Sequence, residues 1–265
     1  YGIKFIRNIE VYVSNPYQVG VHYGVIEGVK CWFIHHFILF SKPYPQGSNS
    51  YKFDIMLTMA DACLELLYQF FEKMPRLIVT NDWLTGLIPA FAKTKFEDKF
   101  GKIIFMHTIH CLEQGYRGKI YQKDDEPSLL DMSQGLPEKY VYNKNEKCID
   151  PSQCALMASD QWATTSKQYK EDLLDSSPYK NFLKSFTHPF ACSTGIDVNE
   201  HKKLLEKTGI KTDAKKHIQN KYFHFEDDKM CLFLFIGDFS DESGVLLIVD
   251  SFDELVKKYE NIQKK

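Results

Sequence analysis

The chain has 265 residues, 44% of them hydrophobic and 26% charged, a globular composition with length for one large or two small domains. A formal charge of −2 leaves no basic footprint, which argues against nucleic acid and anionic membrane as partners. No apolar run approaches the roughly 18 uninterrupted residues of a membrane span. The seven cysteines are odd in number and have no C-x-x-C pair, which fits a reducing, cytoplasmic setting better than a disulfide framework or zinc site. Tyr1 opens a strand-like run with no features of a secretory leader, and the absence of an initiator methionine suggests a biological start elsewhere.

Residues 1–40 alternate or run apolar between Gly, Asn and Pro and read as several strands. "FDIMLTMADACLELLYQFF", Phe53 to Phe71, reads as a helix ended by Pro75. "RLIV" is then a short strand. In "TNDW", Asn81 or Asp82 is expected to cap a helix over Trp83–Lys93, kinked at Pro89. "KIIFMHTIH", Lys102 to His110, is a buried strand, and the polar segment Cys111–Pro151 is too long for a mere connection. A further helix, a strand near Gln161–Thr165 and a helix capped by Ser166 complete an alternation that argues for a doubly wound α/β sheet. Residues 212–228 read as a charged linker. "LFLFIGDFSDESGVLLIVDSF", Leu232 to Phe252, reads as a strand, a glycine turn and a helix, the first βα unit of a second domain over 229–265. Such a unit needs neighbours, so a protein partner or further chain is expected to cover it.

His107 and His110 stand three apart at the C-terminal end of a strand and point to opposite faces, so only one can face a cleft and they make no metal pair. His35 and His36 fail as a metal pair by the same geometry, and no metal site is expected. "TNDW" alone is read as a cap and a core Trp, and "STGID" as an ordinary glycine turn.

The order of these segments is more specific than any of them alone. "TNDWLTGLIPAF", "FMHTIHCLEQGYRGKIY", "SLLDMSQGLPEKY", "IDPSQCALMASDQWATTSKQYKEDLL", "STGIDVNEHK" and the strand–glycine–helix stretch together resemble the starch and glycogen synthases of the bacterial and plant type, from about Phe53 to Phe252. The resemblance implies a GT-B fold, two Rossmann-like domains facing across a cleft, here with residues 1–211 as the first domain without its K-x-G-G loop. It also implies transfer of glucose from ADP- or UDP-glucose to an α-1,4-glucan with retention of configuration. By resemblance, His110 is the catalytic-cleft histidine. Asp82, Trp83, Gln114, Gly115, Thr194, Gly195, Ile196 and Asp197 are expected to line the glucose and acceptor side.

The departures are Asn81 in place of His, Cys111 in place of Asn and Thr194 in place of Asn. Gly237, Asp238, Ser243 and Gly244 lie where the family reads approximately G-R-L-x-x-Q-K-G, so Asp238 replaces Arg and Ser243 replaces Lys. The resemblance implies that those two cations clamp the departing diphosphate. The turn therefore reads as a phosphate site with its charge reversed. Three readings follow. The chain is a synthase-like pseudoenzyme kept for a scaffold or binding role; an active transferase whose clamp is replaced by Arg117 or Lys119; or a glucan-binding module. No cofactor is expected, and a nucleotide-glucose only as substrate if the chain is active.

Overall fold

The structure, a computed structural model, describes residues 2–42, 46–112, 118–133, 135–193, 195–208, 211–237, 239 and 243–259. The chain divides into two compact units, Tyr1–Thr194 and Gly195–Lys265.

In the first unit, alternation along β1 (Lys4–Tyr12) and β2 (Pro16–Ile26) places Ile9, Val11, Val19 and Val21 on one buried face. With β3 (Val29–His35) they form an antiparallel meander in the order β1-β2-β3. Helix α1 (Asn49–Phe70) packs against that face. It starts where the Ser48 hydroxyl accepts from the Tyr51 N–H at 3.2 Å and the Glu126 carboxylate accepts from the N–H groups of Asn49 and Ser50. It stops at the extended Phe71, ahead of Pro75. Full burial of Phe53, Leu57 and Leu64 contributes about 1.5–3 kcal/mol each. Two carboxylates on the same helix face inward. Asp54 accepts from the hydroxyls of Ser14 and Tyr17, and Asp61 accepts from the Tyr12 N–H and pairs with Lys95 at 2.7 Å. Burial raises both carboxyls, and burial together with Asp54 pushes the Tyr17 hydroxyl up to about 12. A buried carboxylate costs stability unless it is partnered, so these bonds fix where the meander sits on the helix.

The chain then enters β4 (Leu77–Asn81), a helical turn Trp83–Thr85, α2 (Ile88–Ala92), α3 (Glu97–Phe100) and β5 (Ile104–Ile109). The polar segment that follows is ordered in its described parts. It holds β6 (Ile120–Tyr121), α4 (Leu129–Met132), α5 (Glu138–Val141), β7 (Tyr142–Asn143) and β8 (Cys148–Ile149), with the strands pairing antiparallel in the order β6-β8-β7. Next come α6 (Pro151–Ala158), β9 (Gln161–Thr164), α7 (Lys167–Ser176), α8 (Lys180–Leu183) and β10 (Phe190–Ala191). Ser166 caps α7 as expected, accepting from the Tyr169 N–H at 3.0 Å. Strands β10-β9-β5-β4 make one parallel sheet, which bears out the α/β reading.

One face of that sheet, carrying Thr80, Phe105, His107, Ile109 and Trp162, is buried. The other exposes Leu77, Val79 and Ile104 at 47, 44 and 52%. His107 belongs to the covered face. It is 2% exposed, its Nδ1 lies 2.9 Å from the Thr80 hydroxyl, and burial, with His110 nearby, pushes it down to about 3. It is a structural histidine with a pH consequence. The unfolded chain takes up this proton near pH 6.5 and the folded chain only near 3, so the stability that His107 lends is complete above the unfolded value and drains as pH falls. Between pH 7 and pH 5.5 the loss should be about 1 kcal/mol. Urea unfolding of His107→Gln against the natural protein at both pH values checks it, and the variant should lack this share of the slope.

The helix expected over Trp83–Lys93 is a correction. A turn at Trp83–Thr85 is separated from α2, and Pro89 falls in the first turn of α2, where its missing N–H costs nothing, so it makes no kink. Asp82 stands at the N-cap position of the Trp83–Thr85 turn, but its side chain makes no capping bond.

The second unit contains α9 (Val198–Thr208), α10 (Lys211–Phe223) and α11 (Val245–Lys258). Much of the stretch read as a linker is therefore helix. Gln219, 1% exposed, ties α10 to Asp227 by two bonds, donating to its carbonyl at 3.0 Å and accepting from its N–H at 3.2 Å. The strand expected at Leu232–Ile236 is likewise not paired, and among the described residues of this stretch Cys231 alone makes a bridge. Phe233, Leu234 and Ile236 are 52, 67 and 86% exposed, so no described strand lies beside them to take up the backbone groups.

Candidate functional site

Strands β4 and β5 lie in register, Asn81 beside Thr108, and end together. Just beyond, Asp82 turns the chain at φ 52°, a left-handed conformation that costs a non-glycine residue on the order of 1–3 kcal/mol and gathers at functional sites. Its neighbours hold it there. The Asp82 N–H donates to the Thr108 carbonyl at 3.0 Å, and its Oδ1 accepts from the His110 N–H at 2.9 Å. The Thr85 hydroxyl accepts from the Asn81 N–H and donates to the Asn81 carbonyl, both at 2.7 Å. Asn81 Oδ1 lies 3.1 Å from Nε2 of His110. An amide oxygen only accepts, so this contact calls for a proton on Nε2. The result is an exposed imidazole clamped at a strand end beside a carboxylate and an amide.

Two glycines explain the shape around it. Gly118, at φ +66°, presses its backbone on the Trp83 ring, where a Cβ would come within 2.3 Å of Cδ2 and Cε3. At Gly86 a Cβ would meet the Pro151 carbonyl oxygen at 2.3 Å, so only glycine lets the Trp83 turn rest on the start of α6. That start is fixed by Asp150, which is fully buried. Its Oδ1 accepts from the Gln153 N–H at 2.9 Å, and its Oδ2 accepts from the Tyr179 hydroxyl at 2.6 Å and from the Asn143 amide at 3.4 Å. Lys119 Nζ stands 3.7 Å from the same oxygen and pairs with Glu146.

The structure brings His110 together with Asp82 and Asn81, with Trp83 next in the chain. Gln114, Gly115, Thr194 and Asp238 lie outside the described residues, as does Arg117. Asp197 Oδ1 accepts from the N–H groups of Asn199 and Glu200 at 2.9 and 3.0 Å and so holds the start of α9, next to an exposed Gly195. Gly244, at φ +71°, leads into α11, and Gly237 and Ser243 are exposed. Lys119 is a correction: its side chain is 7% exposed and engaged by two carboxylates, so it is no spare cation for a phosphate. Sequence reasoning missed Thr85, Gly118 and the Asp150 cluster. It also missed Tyr169, whose hydroxyl accepts from the Leu112 N–H at 2.9 Å. The glycines in "WLTG" and "YRGK" were the available signal. Among the described residues no group of three His, Cys, Asp or Glu is placed to hold a metal ion, and no helix is long and apolar enough to cross a membrane.

Polar groups gathered where parallel strands end are the usual ligand position of open α/β sheets. A family model described as the starch synthase catalytic domain matches residues 2–186, and the chain belongs to that family. It is 29% identical over 180 residues to a glycogen synthase of Thermosipho africanus, covering 64% of this chain and 34% of the relative. It is 26% identical over 192 residues to one of Chlorobaculum parvum, covering 68% and 36%. The chain thus spans about a third of the length of the curated relatives it matches. The catalytic domain of starch synthase IV from Arabidopsis thaliana, bound to ADP and acarbose, superposes with a TM-score of 0.75 at 19% identity, covering 97% of this chain and 56% of that one. The fold is that of a GT-B synthase domain, present in part.

Proposed function

We propose that this chain is a synthase-type domain that has given up glucosyl transfer and serves as a glucan-binding scaffold. The observation that carries the reading is Asp238 and Ser243 in the two positions where the family pattern has Arg and Lys. Each lost donor to a developing charge costs about 10²–10³ in rate. The described replacement candidate, Lys119, is already neutralised by Glu146 and Asp150. The glucose-side geometry supports the binding half of the reading, because an exposed His110 is held at the strand end by Asp82 and Asn81, beside a half-buried Trp83.

Calorimetric titration with ADP, UDP and their glucose conjugates tests it. Millimolar or undetectable binding is expected. Micromolar binding of any of the four would overturn the loss of the donor site and make Arg117 the next residue to replace.

A further inference from the structure

The outer face of the β1-β2-β3 meander carries a trough that the synthase site does not use. Its floor is Gly20, in the middle of the central strand, with Asn8 opposite on one side and His35 on the other. Nothing in the backbone demands a glycine there. Gly20 is not at positive φ, and a Cβ would make ordinary contacts of 3.6 Å to Asn8 Oδ1, His22 Cε1 and the His35 carbonyl. At Gly24, by contrast, a Cβ would crowd Ile3 at 3.0 Å. A glycine inside a strand weakens it, and where packing does not require one it marks close approach by something else.

The walls suit one kind of visitor. Four rings run in edge contact along the trough, Phe5 to His22 at 5.3 Å, His22 to His35 at 5.8 Å and His35 to Phe37 at 4.8 Å. Asn8 and Gln18 add amides that both donate and accept. The cavity they enclose is about 340 Å3, within the roughly 300–1,000 Å3 of small-ligand pockets, and no Lys, Arg, Asp or Glu lines it. A lining of rings and amides over a bare strand, with no carboxylate, Lys or Arg, complements a ligand with apolar ring faces and many hydroxyls. Sheet faces carry oligosaccharides in other folds in the same way.

The geometry points to an accessory glucan-binding trough over Gly20, separate from the His110 strand end. The choice of an α-1,4-glucan rests on the function proposed above; the trough itself does not. Affinity electrophoresis through gels containing glycogen tests it. The natural chain should be retarded, and Gly20→Val should weaken retention at least tenfold while its melting temperature stays level or rises, since a β-branched residue favours the strand. Phe37→Ala should weaken retention too, and Phe37, 86% exposed, has no core packing to lose. Retention within twofold of the natural chain in both variants overturns the trough. If Asp82→Ala alone abolishes retention, the trough falls and the proposed function stands. An unretarded natural chain overturns the trough, and the nucleotide titration then decides the donor-site half of the function by itself.

Discussion

Replacing Asp150 with alanine should cost about 3–5 kcal/mol and bring down the segment between β5 and α6 together with the first turn of α6. The carboxylate is fully buried and serves both ends of that segment. Its Oδ1 caps α6 through Gln153, while its Oδ2 gathers Tyr179, Asn143 and Lys119. Removing one partner of a buried ion pair leaves the other charge uncompensated, at about 3–5 kcal/mol. In this cluster Lys119 is the charge left behind, although Glu146 still holds it in part. The cap alone contributes about 0.5–2 kcal/mol. Urea unfolding measures the loss. Asp150→Asn keeps an oxygen for the Gln153 N–H and should fall between the two proteins, losing about 1–3 kcal/mol. An alanine variant within 1 kcal/mol of the natural chain would show that this segment is held by its apolar contacts instead.

How much of this was legible beforehand divides by distance along the chain. Alternation over Ile9, Val11, Val19 and Val21 and the apolar run of α1 are local patterns, and both elements form as read. Ser166 capping α7 involves residues three apart and was equally readable. Asp82 was misread because its partner, the His110 N–H, lies 28 residues away and is brought close only by the β4–β5 register. Lys119 looked like a free cation for the same reason, its carboxylate at Glu146 being 27 residues on. In the second unit composition misled: "AKKHIQNKYF" is charged enough to pass for a linker, yet Ala, Lys and Gln are good helix formers, and α10 follows them. At Leu232–Ile236 the opposite happened. A strand-like sequence stays unpaired because a parallel strand is a property of its neighbours.

Restoring the two cations, Asp238→Arg with Ser243→Lys, should raise ADP affinity by a factor of about 100 or more. A charge-assisted hydrogen bond contributes about 1.5–3 kcal/mol, and two of them correspond to roughly 10²–10⁴ in the dissociation constant. Removing Asp238 adds to this, since like charges ~4 Å apart repel by about 4 kcal/mol at an effective dielectric near 20. Calorimetry at low and high salt separates the contributions: a clamp made of two cations should lose much of its gain as salt screens the phosphates. The single variants carry the argument further. Asp238→Arg reverses a charge and should supply most of the gain, whereas Ser243→Lys alone leaves the repulsion in place and should supply little. A double variant that stays folded and still ignores ADP would overturn the role proposed for Asp238 and Ser243.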